Sequence, residues 1–166
     1  MASKRVHTEE RPLVGIIMGS ASDLEQVEPA RTVFKEFGIP FEMKVLSAHR
    51  TPDQTLRYAA EAEGRGMEVL IAAAGGAAHL PGVVAAKTLL PVIGIPIKSK
   101  ALNGLDSLLA IVQMPSGIPV ATVAIDGSAN AALLAIEIMA GKHPEFRVKL
   151  KRYRKSLEDK VLHAIV

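Results

Sequence analysis

An α/β fold with a parallel sheet is what this sequence predicts, on three observations. From residue 13 onward, short apolar runs rich in β-branched residues alternate with segments of helical periodicity, the rhythm of strands joined by crossover helices. Several of those runs are almost wholly apolar, as strands covered on both faces are. Gly, Pro and Asp punctuate the junctions where strands and helices should meet.

Taken in order, strands are expected at 13–18 (LVGIIM), 41–46 (FEMKVL), 68–74 (EVLIAAA), 91–97 (PVIGIPI) and 119–125 (PVATVAI). The first, third and fifth are the most apolar and read as the fully covered ones. Between them, Asp23 is a good N-cap for a helix through about Phe37 that ends at Gly38. Pro52 opens a second helix with Asp53 in its first turn, and Gly64 and Gly66 close it. Further helices are expected at 81–88, 105–114 and 128–140. The expected organisation is a polar segment over 1–12, one α/β domain over 13–141 and a helical tail over 142–166.

In that tail Phe146, Leu150, Tyr153, Leu157 and Val161 recur every three or four residues and form one narrow apolar stripe. Three partners suit it: the chain's own body, a neighbouring subunit, or an anionic surface facing its basic side. The charge bears on that choice. Residues 142–160 hold 8 Lys and Arg against 3 Asp and Glu, whereas the rest of the chain holds 12 against 14, so the net charge of +3 belongs to the tail. Basic helical faces are usually only solvated, and neither nucleic acid nor membrane is expected as a partner.

The 166 residues are 49% apolar and 22% charged, the balance of one globular domain. Cysteine is absent, which excludes disulfides, thiolate metal sites and a cysteine nucleophile and fits a reducing cytoplasm. The opening MASKRVHTEERP lacks the apolar core of a signal peptide, and no apolar run reaches the roughly 20 residues of a spanning helix. A cytoplasmic protein is the expectation.

In an open parallel sheet, ligands bind outside the carboxyl ends of the strands. The loops after the first three strands read GSASD (19–23), SAHRTP (47–52) and GGAAHLPG (75–82). The first offers a glycine, the hydroxyls of Ser20 and Ser22, the carboxylate of Asp23 and a helix start that favours an anion. Equally, it reads as a capped turn, and it is neither a dinucleotide fingerprint nor a P-loop. The second adds His49, which exchanges protons near neutral pH, and Arg50, suited to phosphate or carboxylate. A cation is disfavoured at a helix start, a conflict that a bound anion would relieve. The plain alternative is a His bonded to backbone and a solvated Arg. In the third loop small residues leave room beside His79 for a flat ligand, and no metal-ligand cluster accompanies it. His7, His143 and His163 read as incidental. Together the loops describe a site for a small, planar, phosphorylated and ribosylated molecule, with proton transfer or cofactor-free bond making as its chemistry.

The strings GIIMGSASD, VLSAHRTPD, AAAGGAAHLPGVVA, PVIGIPI, LNGLDSLLAIVQMPSGIPVATVAI and NAALLA, from about Leu13 to Gly141, resemble the 5-(carboxyamino)imidazole ribonucleotide mutases of bacterial purine biosynthesis. A sister class, carboxylases of aminoimidazole ribonucleotide that use free carbon dioxide, has Lys-Gly where this chain has Arg50 and Thr51, and lacks this form of the third loop. The resemblance implies a flavodoxin-like three-layer αβα subunit in a homo-octamer, with active sites between subunits and a C-terminal helix reaching a neighbour. It implies carboxyl migration from the exocyclic nitrogen to a ring carbon, with no cofactor and no metal. By the same resemblance His49 is the general acid/base. Arg50, Ser20, Ser22 and Ser47 hold the phosphate, and Asp23 accepts the ribose hydroxyls. Gly75, Gly76, Ala77, Ala78, His79 and Leu80 form the loop that confines carbon dioxide. The stretch 126–130 (DGSAN) is shorter than the Gly/Ala-rich one of many relatives, which bears on the helix start and subunit contacts there. Outside this class stands a non-catalytic nucleotide-binding module, which would not require His49.

Overall fold

The structure, a computed structural model, describes residues 11–164; the polar N-terminal segment through residue 10, with His7, and the last two residues lie outside the described residues. Five parallel strands, β1 (Val14–Met18), β2 (Phe41–Val45), β3 (Val69–Gly75), β4 (Val92–Ile97) and β5 (Ala121–Thr122), form one sheet in the order β2-β1-β3-β4-β5. This is the flavodoxin-like order, and its direction of winding reverses between β1 and β3.

The alternation of side chains along each strand sends one core to each face of the sheet. Val14, Ile16 and Met18 of β1 join Ile71, Ala73, Ile93 and Ile95 against α1 (Leu24–Phe37) and α5 (Ser128–Met139). Ile17, Leu70, Ala72 and Ala74 turn the other way, toward α2 (Pro52–Glu61), α3 (Leu80–Ala85) and α4 (Leu105–Val112). Fully burying a Val, Leu, Ile or Met side chain among these is worth about 1.5–3 kcal/mol. Gly15 sits where the α2 layer comes closest: a Cβ there would collide with the Tyr58 hydroxyl and lie 2.7 Å from Leu70 Cδ2.

Two expectations about the strands are corrected. The third fully covered strand is β4, all of whose residues are buried; the fifth strand is a partly exposed edge of only two residues. Proline chemistry accounts for its shortness. Val123 N–H still donates to Gly94 O at 3.2 Å, and the next rung of a parallel ladder would require an N–H from residue 96. That residue is Pro96, which has none, so the ladder stops. The chain then turns at Asp126, a non-glycine residue at φ 55°, and α5 starts at Ser128 despite the short preceding loop.

Helix α1 is also capped differently from the expectation. A single 3-10 turn, Ala21–Asp23, precedes it, and Ser20 is the capping residue. Asp23 makes no side-chain cap to α1; its carboxylate reaches back to accept from Ser20 N–H at 3.2 Å. The helix ends at Gly38, φ 61°, as a left-handed C-cap does.

The tail forms α6 (Pro144–Leu162), and its apolar stripe divides in two. Phe146 and Leu150 are buried in the α1–α5 core, and the Tyr153 ring lies 5.6 Å from that of Phe37. Lys149 Nζ donates to Phe37 O at 2.5 Å, and Arg154 pairs with Glu137. Further along, Leu157 and Val161 are 43% and 76% exposed, so only the first half of the stripe is covered by the chain's own body. His143 is not incidental: its Nε2 lies 3.0 Å from Glu68, which also accepts from Lys142 Nζ at 2.6 Å. This clamp fastens the start of α6 beside the start of β3. Among the described residues no helix is long and apolar enough to cross a membrane.

Candidate functional site

The loops that leave the carboxyl ends of β1, β2, β3 and β4 surround a cleft of about 460 Å³. It lies where the winding of the sheet reverses: Gly19 N–H donates to Ala73 O at 3.1 Å, so the loops after β1 and β3 part directly above their shared ladder. A crevice at this position follows from strand order alone.

In the loop after β1, Ser20 is extended (φ −147°, ψ 151°) and its Oγ accepts from Ser22 N–H at 3.3 Å. With Ser20 N–H donating to Asp23 and Asp23 N–H donating to Ser20 O, the amides that a helix start offers an anion are largely occupied within the loop. Hydroxyls remain for that task. Ser20 and Asp23 line the cleft, whereas Ser22 does not; its hydroxyl lies 2.8 Å from Ser20 Oγ and 3.2 Å from Asp23 Oδ1. Burial pushes the Asp23 carboxyl above its ordinary range, against the opposing influence of Ser22, the Ser20 amide and the Arg50 charge.

The loop after β2 is tied to itself. Ser47 N–H donates to Thr51 Oγ1 at 2.9 Å, and that hydroxyl donates back to Ser47 O at 3.1 Å. Ser47 Oγ then accepts from Arg50 N–H at 3.2 Å. The guanidinium is not solvated freely: its Nη2 donates to Gly19 O at 2.6 Å and bridges the first two loops. Its charge is thereby held at the mouth of the cleft, with donors to spare for an anion.

Between these anchors His49 points across to the loop after β3. Its Nε2 lies 2.8 Å from His79 Nδ1, with the rings at 86° and centroids 5.0 Å apart. A hydrogen bond between two imidazoles requires one nitrogen to donate and the other to accept. One proton therefore lies between the two rings. The loop that carries His79 passes through Gly76 at φ 62°, a left-handed turn suited to glycine. Gly75, Gly76, Ala77, His79 and Leu80 line the cleft. Ala78 does not; it is 1% exposed and packs into the α2–α3 core.

A fourth loop, after β4, lies outside the three that the sequence singles out and supplies Lys98 and Ser99 to the lining. Lys98 N–H is held by Asp126 Oδ1 at 2.9 Å, and Ser99 Oγ donates to Asp106 Oδ1 at 2.7 Å. The signal was present: IPI followed by Lys-Ser is another strand end on the same edge of a parallel sheet.

Known proteins are similar to this chain in sequence and in fold. A protein of Pyrococcus horikoshii named N5-carboxyaminoimidazole ribonucleotide mutase is 64% identical over 152 residues, covering 92% of this chain and 86% of that relative. A Pseudomonas aeruginosa protein of the same name is 57% identical over 152 residues, covering 90% and 93%. The solved structure of Treponema denticola PurE superposes with a TM-score of 0.83 at 33% identity, covering 92% of this chain and 95% of that one. Residues 13–160 match the family described as AIRC, AIR carboxylase. The chain belongs to the AIR carboxylase family.

Proposed function

We propose that this protein is an isomerase of purine biosynthesis. It moves a carboxyl group from the exocyclic nitrogen of N5-carboxyaminoimidazole ribonucleotide to the adjacent ring carbon, giving 4-carboxy-5-aminoimidazole ribonucleotide. The observation that carries the reading is the His49–His79 pair: one shared proton, 2.8 Å between nitrogens, above a cleft with an anchored guanidinium at its mouth. The reaction needs one proton delivered and one proton removed, and relatives at 57% and 64% identity bear the name of that activity.

Arg50, with the hydroxyls of Ser20 and Ser47, binds the substrate phosphate, and Ser22 supports Ser20 from behind. Asp23 accepts the ribose hydroxyls. His49 gives its proton to the exocyclic nitrogen as the N–C bond to the carboxylate breaks, which leaves aminoimidazole ribonucleotide, carbon dioxide and a neutral imidazole. The ring carbon then attacks carbon dioxide and forms the new C–C bond. His49 takes the proton displaced from that carbon and is restored. One group serves both steps because the first leaves it in the form the second needs. The loop 75–80 confines carbon dioxide meanwhile, so the second step begins with its partners already adjacent.

The cytoplasmic homo-octamer expected for such an enzyme fits several large apolar side chains that the single chain leaves exposed. Leu89 at 95%, Leu102 at 58% and Val161 at 76% are examples. Light scattering should give eight times the chain mass, and a monomer would remove this part of the reading. The decisive assay follows the carboxylated imidazole by ultraviolet absorbance. It supplies either N5-carboxyaminoimidazole ribonucleotide alone or aminoimidazole ribonucleotide with bicarbonate. Efficient reaction of the first mixture is expected; reaction of only the second would make the protein a carboxylase using free carbon dioxide.

A further inference from the structure

The segment LNGLDSLL (102–109) has no part in the chemistry just described, yet it holds Ser107, a side chain 0% exposed directly beneath the third site loop. We infer that Ser107 is a positioning residue that keeps the loop 75–80 closed over the carboxyl fragment between bond breaking and bond making. The inference rests on the proposed carboxyl migration and assigns part of it to a residue outside the cleft lining.

Ser107 is the third residue of α4. Its Oγ donates to Ile97 O at 2.8 Å and accepts from Gly76 N–H at 2.9 Å. A serine hydroxyl has a single proton, so with that proton committed to Ile97 the oxygen must be an acceptor toward Gly76. The β3–β4 ladder ends at the pair Gly75–Ile97. The hydroxyl thus adds one more rung through a side chain, just where the backbone of β3 turns left-handed and the ladder has nothing further to offer.

The consequence is an anchor at the start of the loop. At its end the loop is anchored by Ala78 and Leu80, which are 1% and 2% exposed. Between the two anchors Ala77 and His79 face the cleft. Helix α4 is in turn firmly placed: Ser99 Oγ donates to Asp106 and accepts from Leu102 N–H and Gly104 N–H, both at 3.3 Å. Without the Ser107 hydroxyl, Gly76 N–H and Ile97 O lose their partner and the first half of the loop is free to lift. The His49–His79 contact loosens with it, and so does the cover over carbon dioxide.

The test reads escape of the fragment. Wild-type protein, Ser107→Ala and Ser107→Cys are given unlabelled N5-carboxyaminoimidazole ribonucleotide in isotopically labelled bicarbonate, and kcat, KM and label in the product are measured. Ser107→Ala should keep KM within a few-fold, lose about tenfold to a hundredfold in kcat and carry several times more label than wild type. Ser107→Cys, with a similar volume and a weaker donor, should fall between them. A lower melting temperature with wild-type labelling would mean a merely structural role and would overturn the inference. If Ser107→Ala does not fold, wild-type labelling in Ser107→Cys overturns it equally. A wild-type protein that does not convert the substrate overturns the functional reading itself, and this inference with it.

Discussion

Two histidines mark opposite ends of β3, and their partners differ. At the carboxyl end His79 meets His49, another imidazole, in an open cleft. At the amino end His143 meets the carboxylate of Glu68 and stacks on Phe146 with centroids 4.9 Å apart. The Glu68 contact ties the start of α6 to the start of β3, a part-buried seam away from the cleft. The His79 contact lies within the lining of the cleft, where a bound molecule would meet both rings. The same residue type thus pins two elements together in one place and, in the proposed reaction, carries the proton in the other, and the setting decides which.

Replacing each histidine separates the two roles. His49→Asn should lower kcat by about a hundredfold to ten-thousandfold and leave the substrate Kd within a few-fold. His143→Asn should turn over normally and melt at lower temperature; equal losses of turnover in the two would erase the distinction. Next in size, Arg50→Ala removes the charged donor proposed for the phosphate, a contact worth about 1.5–3 kcal/mol. Titration calorimetry should show Kd raised by about tenfold to a hundredfold, with kcat changed less.

The smallest effect lies at the pin. Burial pushes the Glu68 carboxyl up, but the hydrogen bonds and charges of Lys142 and His143 outweigh it and hold the group below its ordinary value of 4.5. A carboxyl lowered on folding contributes stability that is present above its unfolded value and is lost as pH falls through the folded one. Lys142 is 72% exposed, so solvent screening keeps the contribution to about 1 kcal/mol. Glu68→Gln should therefore melt about 2–4 °C lower at neutral pH. The gap should close well below pH 4.5, and a gap that persists there would assign the loss to packing.

The strands were legible where their apolar runs are long, and the three site loops followed from the edge on which such a sheet binds ligands. The failures were long-range. The fifth strand ends early because of Pro96, a residue of its neighbour. His143 reads as incidental in sequence because its partner Glu68 lies 75 residues earlier in the chain. Nothing in the helical segment around Ser107 marks it out, and only the approach of Gly76, 31 residues away, gives its hydroxyl a task. Asp23 lines the cleft and stands at the N-cap position of α1, but its carboxylate completes the capping box of the preceding turn instead of capping α1, and a capping box and a simple N-cap share the same residues in sequence. For His49 and Arg50, their neighbourhood in the second loop sufficed to bring them to the cleft, whereas the contact with His79 needed the fold.

The most direct test of the account follows the carboxyl carbon itself. The protein is supplied with N5-carboxyaminoimidazole ribonucleotide labelled at that carbon, in unlabelled bicarbonate, and the product is examined by carbon NMR. Migration within a confined cleft predicts that the label appears on the ring carboxylate of 4-carboxy-5-aminoimidazole ribonucleotide. Product formed at the same rate but without the label would show that the carboxyl group came from solution, and would contradict it.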